Sequence, residues 1–251
     1  MMRSKSVKNK KVLFAGVIIG IGFTLFIACG IYVSDFYAAT ELATLSLDTD
    51  EKVIYTELED GSYILEPAEP YALDKGFIFY PGGKVENIAY APLVRNLAEN
   101  GISCLVAKMP FNLAVFDMKA ADRLKALYPE INEWYIGGHS LGGSMAASYV
   151  YEHADEYEGV VLLGSYSTAD LSDTDLEVLS VYGSNDEVLN IDKYKQYYSN
   201  LPQTVIEKVI EGGCHSYFGE YGQQQGDGIA TITAQEQQEL TSQLILDMIL
   251  N

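Results

Sequence analysis

Seven residues, Gly137-Gly138-His139-Ser140-Leu141-Gly142-Gly143, place two glycines on each side of one serine. The central five fit G-x-S-x-G. An apolar run, "WYIGG", leads in, and a small-residue helical pattern, "GGSMAASYVYEHA", leads out. A strand that turns sharply into a helix can hold a serine hydroxyl out where it reacts, and that is the context a nucleophile elbow requires. The plainer reading is a strand-to-helix turn in which Ser140 caps the helix. A reactive serine needs a base, because its hydroxyl is a poor nucleophile at neutral pH. The chain has three histidines. His139 adjoins Ser140, and neighbours on such a turn point different ways. His153 lies at the far end of the following helix, roughly 20 Å away at ~1.5 Å per residue. His215 remains, just past the last apolar strand. An acid must orient that imidazole and stabilise its protonated form. Asp186 follows "VLSVYGSN" in a turn at a strand end, with Glu187 beside it as the alternative.

These residues need a scaffold that brings strand ends together. Short, nearly continuous apolar runs recur at 76–81, 102–110, 134–138, 159–167, 177–184 and 204–213, with helical patterns between most of them. Such strands belong to a parallel sheet covered on both faces. Ahead of them, two alternating runs flank Asp60-Gly61, a hairpin signal. The expected fold is therefore α/β: a mostly parallel sheet of about 7–8 strands, helices on both faces, and an N-terminal antiparallel hairpin. In such sheets ligands bind at the carboxyl ends of the strands. Ser140, Asp186 and His215 all follow strand ends, in that order. "TAQEQQELTSQLILDMIL" closes the chain as a helix with an expected apolar stripe at Leu240, Leu244, Ile245, Met248 and Ile249. The long "GGCHSYFGEYGQQQGDG" loop, 212–228, is of a kind usually functional or mobile.

An oxyanion site needs backbone N–H groups aimed at developing charge. Leu141, at the start of the elbow helix, is one candidate donor. Gly83 in "YPGGKV" is the other, with Gly82 next. Lys84 could add a positive charge there or be an ordinary exposed loop lysine. Phe111, Tyr217 and Phe218 are candidate apolar walls for a substrate, or simply loop packing.

The chain has 251 residues and a formal net charge of -19. Residues 1–11 hold five basic residues and no acid, so 11 basic residues face all 35 acids in the remainder, a net of -24. That surface repels phosphate backbones, which sets nucleic-acid binding aside. Val12 to Val33 is uncharged and about as long as the ~20 apolar residues that cross a bilayer. With the basic cluster ahead of it, it reads as an uncleaved signal anchor that leaves the acidic domain outside. A cleaved, secreted form and a lipoprotein site at Cys29 are the alternatives. The expected organisation is 1–34 basic terminus and anchor, 35–51 a linker or loosely docked entry segment, and 52–251 one domain. No CxxC or zinc spacing is present. Cys104 and Cys214 could pair only if the fold brought them together.

Taken together, "FIFYPGGKVENIAYAPLVRNLAENG", "KMPFNLAVF", "IGGHSLGGSMAA", "VYGSNDEV" and "EGGCHSYFGEYGQQQGDG" resemble the α/β-hydrolase superfamily. The resemblance is to its compact bacterial fold-5 subfamily, related to dienelactone-hydrolase-like enzymes, and covers roughly residues 52–250. It implies a Ser140–Asp186–His215 triad and acyl transfer to water, with no metal or organic cofactor. Only about a dozen residues separate the fourth and fifth strands of the alternating part, where a cap domain is often inserted, so no large cap is expected. The implied activity is that of a membrane-tethered, outward-facing serine hydrolase acting on a small-molecule carboxylic ester. A peptidase or amidase with the same triad, or a silent surface binding protein on the same fold, are the alternatives.

Overall fold

The computed structural model describes residue 14, residues 20–24, 27 and 30, and residues 32–251. The basic cluster, Cys29 and much of the 12–33 apolar run lie outside the described residues. Among those described, no helix is long and apolar enough to cross a membrane. The chain forms two compact units, Met1–Phe36 and Tyr37–Asn251. In the first, the described residues 20–24, 27, 30 and 32–34 are helical.

The second unit is built on one eight-stranded sheet. Its strands are β1 (Val53–Glu57), β2 (Tyr63–Pro67), β3 (Lys75–Tyr80), β4 (Ser103–Val106), β5 (Glu133–His139), β6 (Gly159–Leu163), β7 (Glu177–Gly183) and β8 (Ile206–Ile210). They lie in the order β1-β2-β4-β3-β5-β6-β7-β8. The β1–β2 hairpin is antiparallel, turning at Gly61 with φ 80°, and β2 meets β4 antiparallel. From β4 to β8 every pairing is parallel. The expected mostly parallel α/β architecture with an N-terminal hairpin is thus the one observed.

Alternation along the strands explains the two-sided core, because successive side chains point to opposite faces. Phe77, Phe79, Val161 and Leu163 pack on one face with Leu93 and Leu97 of helix α2 (Ala91–Ala98) and Ile245 and Ile249 of helix α6 (Ala234–Leu250). Ile78, Tyr80, Val160 and Leu162 point to the other. There they meet Leu124 of helix α3 (Ala120–Lys125) and Ala146, Ala147 and Val150 of helix α4 (Leu141–Tyr151). Both apolar faces are thereby removed from water, which is why the inner strands read as unbroken apolar runs.

Several local expectations give way. The linker reading of 35–51 gives way to docking from Tyr37 onward: Tyr37 bridges to Val85, Thr40 caps helix α1 (Glu41–Leu45), and Ala43 and Leu47 are buried. The Arg95 guanidinium fastens the segment by donating to the Ser46 and Asp48 carbonyls. Between β4 and β5 the helical pattern yields only α3, preceded by short 3₁₀ turns. A helix with no strong sequence signal, α5 (Ile191–Tyr197), buries only Tyr194. In α6, Leu240 is exposed, while Gln237, Gln238, Thr241 and Ser242 join Ile245, Met248 and Ile249 on the buried face. Cys104 and Cys214 are buried free thiols. Cys104 lies on β4 and Cys214 in the loop after β8, and they are not bridged.

Candidate active site

Ser140 sits between β5 and α4 with φ 53° and ψ -120°. A non-glycine residue in that region stores strain of about 1–3 kcal/mol and persists only where its surroundings hold it. Here the Ser140 N–H donates to the Leu163 carbonyl at 2.8 Å, and its own carbonyl accepts from the Ser165 hydroxyl at 2.8 Å. The flanking glycines are required by close approach. A Cβ on Gly142 would lie 2.1 Å from the Tyr80 carbonyl oxygen, and one on Gly138 2.5 Å from the same atom. A Cβ on Gly137 would lie 2.8 Å from Val161, and one on Gly143 2.7 Å from the Gly138 carbonyl oxygen and 2.8 Å from Ser165.

His215 follows β8 and is nearly inaccessible to solvent. Its Nδ1 lies 2.8 Å from Asp186 Oδ2, and both side chains are 1% exposed. The other Asp186 oxygen accepts from the Val188 N–H at 2.9 Å and the Leu189 N–H at 2.7 Å. With both carboxylate oxygens engaged as acceptors, the imidazole donates from Nδ1, which leaves Nε2 as a lone-pair acceptor. That Nε2 is buried and has no hydrogen-bond partner among the described residues. Glu187, the alternative acid, is exposed. His153 is remote from this arrangement: it stacks on Tyr149 and bonds to Glu156.

The loop after β3 carries Gly82 and Gly83. The Gly82 N–H is spent on the Tyr90 hydroxyl at 3.0 Å. No hydrogen bond among the described residues engages the Gly83 N–H, and a Cβ there would lie 3.1 Å from the Leu141 side chain. Leu141, as the first residue of α4, has no intrahelical partner for its own N–H. Gly83 and Leu141 thus adjoin, and neither N–H has a hydrogen-bond partner among the described residues. The loop is braced on both sides: the Lys84 N–H donates to the Asn112 carbonyl, and the Lys84 carbonyl accepts from the Tyr37 N–H, each at 2.7 Å. Lys84 itself has φ 62°.

A cavity of about 250 Å³ borders both Ser140 and His215. Tyr166, Val188 and Leu189 supply its apolar walls, and Ser144 and Asn190 its polar ones. The three aromatic residues expected as walls do not line it. Phe218 is a core residue, fully buried against the His139 ring with centroids 5.6 Å apart. Tyr217 is half-buried in the turn beside it. Phe111 is 61% exposed and packs edge-on against Phe116. The apolar walls come instead from the turns after β6 and β7.

The sequence pattern of the alpha/beta hydrolase family matches residues 76–239, about two thirds of the chain. This protein is an alpha/beta hydrolase. Among solved structures, the hydrolase is similar to a predicted CIB-like hydrolase from Thermoplasma acidophilum, with 15% identity and a TM-score of 0.54 over 78% of this chain and 98% of that one. It is also similar to Est1E from Butyrivibrio proteoclasticus, with 13% identity and a TM-score of 0.56 over 80% and 100% of the two chains. No curated protein matches it in sequence. At such identities the likeness concerns the fold, and the site must be argued from its own residues.

Three further residues of the hydrolase hold the His215 loop. Asp227 accepts from the His215 N–H at 3.1 Å, the Ser216 N–H at 2.8 Å and the Ser216 hydroxyl at 2.7 Å. Burial raises its carboxyl pKa, but these donors outweigh that and leave it below its ordinary value. Gln237, buried in α6, accepts from the Cys214 N–H and donates to the Cys214 carbonyl, at 2.9 and 2.7 Å. Gly164, with φ 50°, lies at the end of β6 directly against the His215–Asp186 pair. Only their placement beside the loop marks them: an acid in a chain of 35 acids, a glutamine inside a helix and a glycine after an apolar run carry no distinctive pattern.

Proposed function

We propose that this alpha/beta hydrolase is a serine hydrolase that cleaves small carboxylic esters through an acyl-enzyme. The observation that carries the reading is the His215 imidazole, bonded through Nδ1 to buried Asp186 and bordering, with Ser140, a single cavity. Ser140 Oγ attacks the ester carbonyl as His215 Nε2 takes its proton. The N–H groups of Leu141 and Gly83 hold the oxyanion. When the tetrahedral species collapses, the C–O bond to the leaving group breaks and His215 returns the proton to that oxygen. Water, losing a proton to His215, then attacks the acyl-enzyme; a second collapse frees the acid and restores the Ser140 hydroxyl. The apolar run 12–33 behind its basic cluster anchors the enzyme in a membrane, with the acidic domain facing outward.

A fluorophosphonate probe on fractionated cells tests both parts. Wild type is expected to label in the membrane fraction, and Ser140→Ala and His215→Ala to remain unlabelled. A folded wild type that never labels would sink the enzymatic reading in favour of a silent binding protein. Labelled protein found free in the medium would sink the anchor.

The cavity also sets an expectation for substrate size. A cavity of about 250 Å³ falls below the ~300–1,000 Å³ of sites for drug-sized ligands, so it suits a small acyl group. Turnover of a p-nitrophenyl ester series is therefore expected to peak at short acyl chains and to fall as the chain lengthens. Anilides of the same acids are expected to be cleaved far more slowly. Equal rates on anilides would favour the amidase alternative, and rising rates toward long chains would contradict the size argument.

A further inference from the structure

We infer that His139 and Tyr90 are positioning residues that tie the base His215 to the loop bearing the Gly83 N–H. The inference rests on the serine-hydrolase reading and extends it to two residues that act through the base and the Gly83 loop.

His139 directly precedes Ser140, yet its side chain is turned into the interior and 1% exposed. Its ring lies against the His215 imidazole, with centroids 4.4 Å apart and planes tilted by 48°. Phe218, Tyr221 and Tyr90 close around it at 5.6, 6.5 and 5.8 Å. Nδ1 of His139 lies 2.8 Å from the Tyr90 hydroxyl. That hydroxyl is buried and already accepts the Gly82 N–H, so its own proton must go to His139 Nδ1, the remaining acceptor in its described contacts. The proton of neutral His139 then resides on Nε2. Burial first, and then the facing His215, hold its pKa well below the ordinary value, against a weaker opposing pull from the His215 backbone. A neutral ring can stand behind His215 when that base becomes cationic; a charged one would repel it.

Tyr90 is as firmly placed. It ends the 3₁₀ turn Asn87–Tyr90 that enters α2, and its ring packs on Phe79 at 4.8 Å. The His215 loop returns to the same turn, where the Glu220 N–H donates to the Ala89 carbonyl at 2.7 Å. A Cβ on Gly82 would lie 2.7 Å from His139 Nδ1 and 2.8 Å from the Tyr90 hydroxyl, so residue 82 has no room for a side chain beside this contact. One buried hydroxyl thus fixes the oxyanion loop through Gly82 and the base through the ring it bonds.

The test is kinetic, on a short ester, with rates normalised to the fluorophosphonate-reactive fraction. Tyr90→Phe keeps the packing but frees the Gly82 N–H. It is expected to lower kcat about tenfold with KM within about twofold, because a displaced donor costs less than a deleted one. His139→Ala is expected to lose about 100-fold. His139→Asn, whose amide oxygen can replace Nδ1 as acceptor, is expected to recover part of that loss. A purely structural role would instead lower thermal stability and the reactive fraction while leaving kcat per reactive site unchanged. Full kcat in Tyr90→Phe, or no recovery in His139→Asn over His139→Ala, overturns the inference alone. A wild type that neither labels nor turns over ester overturns the hydrolytic reading and this inference with it.

Discussion

Asp186→Asn is expected to leave the protein folded and to lower kcat by about 10⁴ with little change in KM. The reasoning starts from which oxygen does what. Oδ1 accepts two backbone N–H groups, from Val188 and Leu189, while Oδ2 faces His215 Nδ1. In asparagine only one position can remain an oxygen. Two N–H donors at 2.9 and 2.7 Å oblige it to be the Oδ1 position, since an NH₂ there would meet donors with donors. The NH₂ therefore points at His215 and donates to Nδ1. The imidazole must then carry its proton on Nε2, the atom that has to accept from Ser140, so the base is held in the wrong tautomer. The turn after β7 keeps its hydrogen bonds, so the melting temperature should move little. Steady-state kinetics beside a melting curve checks both halves. A variant retaining more than a tenth of wild-type kcat would mean that Asp186 does not set the tautomer.

The same turn shows where legibility in the sequence ends. Ser140 and its glycines could be read because a strand running into a helix through small residues leaves few backbone solutions. Asp186 and His215 could be read because parallel strands deliver their carboxyl ends to one edge. Both signals are local or topological. What holds the His215 loop is neither. Asp227 reaches back to the His215 and Ser216 N–H groups only after the loop has closed on itself. Gln237 lies on the buried face of α6, where helical periodicity expects an apolar residue, because it must satisfy both backbone groups of Cys214. From the sequence, Phe218 reads equally as a wall or as packing, and its ring fills the interior behind His139. The cavity walls at Val188 and Leu189 come from a turn whose shape is dictated by Asp186 Oδ1, so acid and cavity are built by one set of hydrogen bonds. Such coupling is a property of tertiary contact, and no window of sequence contains it.

Gly164→Ala carries the other large expected effect, and it separates backbone strain from displacement of the site. Gly164 has φ 50°, where an L-residue costs about 1–2 kcal/mol. A Cβ there would also lie 2.9 Å from His215 Nδ1, 3.1 Å from Cε1 and 3.2 Å from Asp186 Oδ2. These contacts fall on the Nδ1–Cε1 edge of the imidazole, which adjoins Nε2, and on its acid partner together. Relieving them must move the ring, the carboxylate or both, and a shift near 1 Å costs about 100-fold in rate. The expected result is a kcat loss of that size with a modest fall in stability. Gly222→Ala supplies the control: Gly222 has φ 79°, and nothing lies within 4 Å of the Cβ it would gain. It should lose comparable stability through the backbone alone and keep its kcat. If both alanine variants lose stability equally and neither loses rate, His215 and Asp186 tolerate the added methyl. The close fit of β6 beneath the pair would then have no part in holding the base.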